Sequence, residues 1–173
     1  MFIKLLGAFL VISMSGLMGM SISRSFRDRP NEIREIRSAL RMLETEIAYV
    51  STPLPEALIL VGRRIGSKTE AFFASVGESL MMAGAPPASE AWLQVLDSWL
   101  MTTALTESDA QILRTAGLGL GSSDRENEIK KLKLAQEHLR NAEASAERDR
   151  ERNERMWRTI GFLGGLAVVI ILY

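Results

Sequence analysis

The residue types that most often carry out chemistry are scarce in this chain. Histidine occurs once, at His138, and cysteine not at all. That rules out thiolate nucleophiles, thiolate metal sites and disulfides, and a lone imidazole cannot build a metal site. His138 is therefore expected on a solvated helix face. The glycine run Gly117-Leu118-Gly119-Leu120-Gly121 lacks the lysine and serine or threonine that end a Walker loop, and no strand precedes it as a dinucleotide fingerprint requires. It reads instead as a glycine-rich helix terminus, followed by Ser123 as N-cap with Glu126 closing a capping box. Carboxylates are plentiful but fall on expected helix surfaces, and basic residues alternate with acidic ones without interleaved aromatics, which disfavours nucleic acid. No catalytic, cofactor or metal residue is expected, and the chain does not read as an enzyme.

What remains is charge placed at helical spacing. Arg34, Arg37, Arg41 and Glu44 recur at steps of 3, 4 and 3, which lines them up along one helix face. Such a row is either a solvated face or a docking stripe. Beside it the apolar positions Ile33, Ile36, Leu40, Leu43, Ile47 and Val50 form the core-facing stripe of one long amphipathic helix. Pro30 fits its first turn, and Thr52-Pro53 marks its end.

Further elements follow in order. A second helix covers Leu54 to Val61 and ends near Arg63, Arg64 and Gly66. A third starts at a Ser67/Glu70 capping box and runs to about Ala83. A fourth, from about Ser89, carries Trp92, Val95, Leu96, Trp99 and Leu100 on one face. Thr106 and Asp109 cap a short fifth helix ending near Leu118. From Asp124 no proline or glycine intervenes before Gly161, which predicts one long helix with Ile129, Leu132, Leu139 and Ala142 as its stripe. This stripe fades after Ala146 into a charged, solvated neck from Glu147 to Arg155.

The ends differ from the middle. Of 21 basic residues, all but Lys4 lie between Arg24 and Arg158, as do all 21 acidic ones. Phe2 to Ile22, at about 1.5 Å of helical rise per residue, would span about 30 Å, the thickness of a bilayer core. Thr159 to Tyr173 is free of charge and apolar all round. Arginines follow the first segment (Arg24, Arg27, Arg29) and precede the second (Arg148 to Arg158), which keeps the intervening chain inside. The expected organisation is thus an N-terminal transmembrane helix over residues 1–23, a cytoplasmic helical bundle over 24–156 and a C-terminal transmembrane helix over 157–173. The alternative is an exported or membrane-attached helical interaction protein whose N-terminal segment is a cleaved signal. Gly161 and Gly165 stand in GxxxG spacing, which leaves both anchor pairing and self-association open. No basic residue lies between Lys68 and Arg114, whereas Glu70, Glu78, Glu90, Asp97, Glu107 and Asp109 do. That acidic region reads as ordinary surface charge or as a surface facing a basic partner.

Taken together these residues resemble the stage III sporulation protein AB family. The likeness covers essentially the whole chain. It is carried by Arg29-Pro30; by Leu40, Leu43, Glu44, Glu46, Ile47 and Tyr49; by Thr52-Pro53-Leu54 with Glu56-Ala57; by Leu118-Gly119, Gly121 and Ser123-Asp124-Arg125-Glu126; and by Gly161-Phe162-Leu163-Gly164-Gly165. The resemblance implies a part in the channel complex that joins mother cell and forespore, with the chain in the mother-cell membrane around the forespore. It further implies a soluble domain similar to the cytoplasmic domain of the type II secretion F platform protein: a six-helix bundle working beside other membrane proteins of the complex and a cytoplasmic ATPase. No catalytic residue is carried over. For the matching residues the physical reading expects protein-interaction roles at Arg37, Arg41, Glu44, Glu46, Tyr49, Asp124, Arg125 and Glu126. For Asp124 and Glu126 the competing role is capping of the long helix, which makes Arg125 the partner contact of that trio.

Overall fold

The computed structural model describes residues 26–121 and 124–172, with side chains through Met156. The described residues are helical and contain no strand. Helix α1 occupies residues 26–45 and widens into a π turn at Glu46–Val50. It is followed by α2 (Leu54–Ile65), α3 (Ser67–Met81), α4 (Ala88–Leu100), α5 (Glu107–Gly117) and α6 (Arg125–Leu172).

The α1 stripe buries Ile33, Ile36, Leu40, Leu43 and Ile47 as its spacing predicts, but Val50 is 61% exposed. A π turn closes i→i+5 bonds, so it rotates the residues after it off the helical face, and Val50 leaves the core. Pro30 is not in the first turn either, since the helix is already formed at residue 26. The proline costs only the one N–H bond that would have reached that residue's carbonyl.

Two short helical hairpins fill the middle. Helix α2 lies along α3, and a Cβ at Gly77 would stand 2.7 Å from the Pro55 carbonyl oxygen, so the two backbones approach at a point only glycine allows. Helix α3 packs on α4, and α4 on α5, around an aromatic cluster. Phe72 meets Trp92 edge-on at 4.6 Å and stacks on Trp99 at 4.8 Å between ring centroids, arrangements that suit ring quadrupoles. Buried Trp92 donates its indole N–H to the Leu113 carbonyl at 2.9 Å. Val95 and Leu100, expected on the same face, are only partly buried.

Capping follows the sequence at α5 but not at α3. Thr106 and Asp109 form a reciprocal capping box. At α3 Glu70 closes no capping box, but the Ser67 hydroxyl accepts the Thr69 backbone N–H at 3.4 Å while donating to Glu35 at 2.6 Å. For α6 the cap is Asp124, whose Oδ1 accepts from the backbone N–H groups of Glu126 and Asn127. Ser123, expected in that role, lies outside the described residues.

Helix α6 is 48 residues long, about 70 Å at helical rise. Leu132 and Leu139 are fully buried, Ile129 and Ala142 partly so. The neck is mostly exposed, as expected, but Asn153 is 8% exposed and Asp149 pairs with Arg29 at 3.7 Å. Among the described residues no helix is long and apolar enough to cross a membrane. The expected N-terminal span (1–23) lies outside the described residues. The backbone of the expected C-terminal segment continues α6 as helix to Leu172, but its side chains, from Trp157 on, fall outside the described part of the structure.

Candidate functional site

Helices α1 and α6 run antiparallel, and the row Arg34, Arg37, Arg41, Glu44 faces a row of the same spacing on α6: Lys133, Gln136, Arg140, Glu143. Steps of 3, 4 and 3 on both helices, read in opposite directions, bring the ends of the two rows into register. At one end the Arg34 guanidinium donates to Glu143 at 2.8 Å. Arg37 lies 3.0 Å from the other oxygen of the same carboxylate, an ion pair without hydrogen-bond alignment. At the opposite end Glu44 accepts from Gln136 at 2.7 Å and pairs with Lys133 at 3.7 Å.

The middle of the seam is not matched. Here Arg37 and Arg41 of α1 meet Arg140 of α6, and the helices leave a cavity of about 310 Å³ lined by these three with Ser38, Gln136 and Glu137. Arg140 touches Glu137 at 3.7 Å, with both side chains about two-thirds exposed. Arg41 is exposed, and among the described residues its guanidinium makes neither an ion pair nor a hydrogen bond. Such a groove holds and presents positive charge.

At the far end of α1 the π turn gathers the other expected residues. Glu46 is only 5% exposed and serves the fold, accepting from Thr52 at 3.0 Å and Arg64 at 3.1 Å. Arg125 donates to the Ile47 carbonyl and to the Ser51 hydroxyl, so it ties the start of α6 to the π turn. Tyr49 stands 83% exposed beside exposed Val50. Asp124 caps α6, as described, and Glu126 is exposed in its first turn. Of the eight residues expected from sequence, then, Arg37, Arg41 and Glu44 form the seam; Glu46, Tyr49 and Arg125 gather at the π turn; and Asp124 and Glu126 start α6. Glu128, nearby, is buried and accepts the Gly121 N–H at 3.0 Å. Burial raises its carboxyl above the ordinary value against that bond and the charge of Arg125.

Sequence reasoning missed the strongest polar contact. Arg29 donates to both oxygens of Asp109, at 2.8 and 3.1 Å, and Asp109 is 1% exposed. Burial alone would raise the Asp109 carboxyl. The bonds from Arg29 and from the Thr106 backbone and hydroxyl outweigh it and hold the group below the ordinary carboxylate value. The bond to Asp109 raises Arg29 in turn. No local signal joins residues 80 positions apart. Sequence reasoning also missed the α6 row, although a signal for it exists, because Lys133, Gln136, Arg140 and Glu143 repeat the spacing of the α1 row.

Among the described residues no three His, Cys, Asp or Glu side chains stand close enough to hold a metal. The geometry defines an all-α bundle whose distinctive surface is a charged helix–helix seam. A family model described as stage III sporulation protein AB matches residues 4–173, and the chain belongs to that family. It is 34% identical over 170 residues to stage III sporulation protein AB of Bacillus subtilis (strain 168), covering 98% of this chain and 99% of that one. A solved structure of stage III sporulation protein AB shares 35% identity with it at a TM-score of 0.67, covering 72% of this chain and 97% of that one.

Proposed function

We propose that this protein is a scaffold of the sporulation machinery, held in the mother-cell membrane around the forespore by its two apolar ends. Its bundle faces the cytoplasm and serves as the platform on which other membrane proteins of a secretion-like channel complex, and a cytoplasmic ATPase, assemble. The observation that carries this reading is the continuity of α6, a single helix from the capped Asp124 end of the bundle to Leu172. A continuous helix couples the bundle rigidly to the charge-free segment that begins at Thr159, so the platform and its anchor move together. Family membership supports the sporulation setting, and the arginines flanking both apolar ends support the orientation. The side chains best exposed for partners are Arg41, Tyr49 and Glu126.

The chain has no native cysteine, so single cysteines report topology cleanly. With the chain produced in growing cells, where its membrane borders the medium, an impermeant thiol reagent added outside leaves Ser89→Cys unlabelled, whereas Tyr173→Cys is labelled. Labelling at position 89 overturns the orientation.

A further inference from the structure

The middle of the α1–α6 seam brings like charges together without an internal counterion sufficient for them. Arg34, Arg37, Arg41 and Arg140 face two carboxylates, Glu137 and Glu143, and Glu143 is already shared by Arg34 and Arg37. Within a Debye length of about 8 Å such charges repel one another, and a groove that keeps them together gains when an anion enters. The backbone holds two of them one turn apart on α1 and the third across the seam, a spacing suited to several carboxylates on one surface.

The chain itself carries such a surface. Residues 69–113 contain no lysine, arginine or histidine and six acidic residues. Asp109 is consumed by Arg29, and Asp97 and Glu107 share Arg114. Of the three that remain, Glu70 is half-buried, whereas Glu78 on α3 and Glu90 on α4 are exposed, Glu90 accepting only from the Gln94 side chain at 3.1 Å. Glu78 lies in the last turn of α3 and Glu90 in the first turn of α4, so both stand close to the loop that joins these helices, next to a tip where Met81 and Met82 are 55% and 68% exposed. Helix α4 packs between α3 and α5, whereas the arginine groove lies between α1 and α6, so the two surfaces occupy different faces of the bundle.

We propose that the Arg37–Arg41–Arg140 groove of one copy receives the Glu78/Glu90 end of the α3–α4 hairpin of a second copy. Such a contact is heterologous: each copy offers one groove and one hairpin, so the contact propagates into a ring or a row instead of closing as a two-fold dimer. The inference deepens the platform reading by naming the partner of the arginine face, and it is tested apart from that reading because no other subunit is needed.

The test uses the full chain in lipid nanodiscs or mild detergent, with mass read by sedimentation velocity or light scattering. Wild type self-associates at low salt, and its apparent Kd weakens by at least about tenfold at high salt, as screening of exposed charges requires. Arg41→Glu/Arg140→Glu and Glu78→Arg/Glu90→Arg each remain monomeric at low salt. All four positions are exposed, so both variants keep the wild-type melting curve. Mixing the two variants restores association through two complementary pairings, reversed groove against reversed hairpin and native groove against native hairpin, so the two variants alternate in the assembly. Wild type that stays monomeric, association that ignores salt and charge reversal, or a mixture that fails to pair would each overturn the inference. None of these three results alters the thiol labelling at positions 89 and 173, which tests the membrane orientation separately.

Discussion

Arginine meets carboxylate in two regions of this molecule, with opposite consequences. At the Arg29–Asp109 contact the carboxylate is withdrawn from water and the guanidinium largely so, the fork is bidentate, and Thr106 also donates to the carboxylate. In the middle of the α1–α6 seam the arginines are exposed and outnumber their partners. The first contact locks α1 to the start of α5 and is closed to anything else. The second adds little to the fold and is open. The amino-acid types are the same, so burial and the supply of counterions decide whether a charge is structural or available.

The largest way to break this contrast is at the buried pair. Asp109→Asn leaves Arg29 with only the distant Asp149 carboxylate, and removing one partner of a buried pair costs about 3 to 5 kcal/mol, read as the loss in unfolding free energy by chemical denaturation. The same variant fixes the pH dependence. Asp109 is held below its ordinary value in the folded chain, so its stabilisation is complete above the unfolded-state pKa of about 3.9 and is lost as pH falls through the lower folded value. The gap between wild type and Asp109→Asn is therefore widest near neutrality and closes below about pH 4. A gap that widens on acidification would contradict the assigned direction.

Next in size is an overpacking test that leaves every charge untouched. In Gly117→Ala the new Cβ would stand 2.0 Å from Trp92 Cδ1, and forcing the core open costs about 1 to 3 kcal/mol. A drop in melting temperature with unchanged partner binding would show that stability loss alone does not mimic a lesion in the groove. Smaller still, Arg34→Ala/Arg37→Ala strips Glu143 of both partners. Since both arginines are partly exposed, the cost is about 1 kcal/mol. Arg41→Ala comes last, within about 0.5 kcal/mol of wild type.

Much of the fold could be read from periodicity, because an apolar stripe at steps of 3 and 4 has one way to be buried. The stripes of α1, α4 and α6 and the capping box of α5 are of this kind. Val50 and Ser67 mark where that reasoning stops. The π turn that rotates Val50 outward has no composition signature, and Ser67, besides accepting the Thr69 N–H, donates to Glu35, 32 positions earlier, a contact that no local pattern announces. The site was half legible. Arg37, Arg41 and Glu44 do lie on one face, but what makes the face a groove is the matching row on α6, visible only once the two helices are set antiparallel. Glu46 and Arg125 read as partner contacts in isolation, and the fold uses both to fasten the π turn.

On the proposed reading, the arginines exposed in the seam serve partners, while Arg29, bound to buried Asp109, serves the fold. The most direct measurement of that division pairs melting temperature with co-isolation of interacting protein, including a differently tagged second copy, from sporulating-cell membranes for Arg29→Ala and Arg41→Glu. Arg29→Ala is expected to lower the melting temperature, whereas Arg41→Glu is expected to melt like wild type and to lose its partners. An Arg41→Glu protein that melts normally and retains every partner would contradict the division.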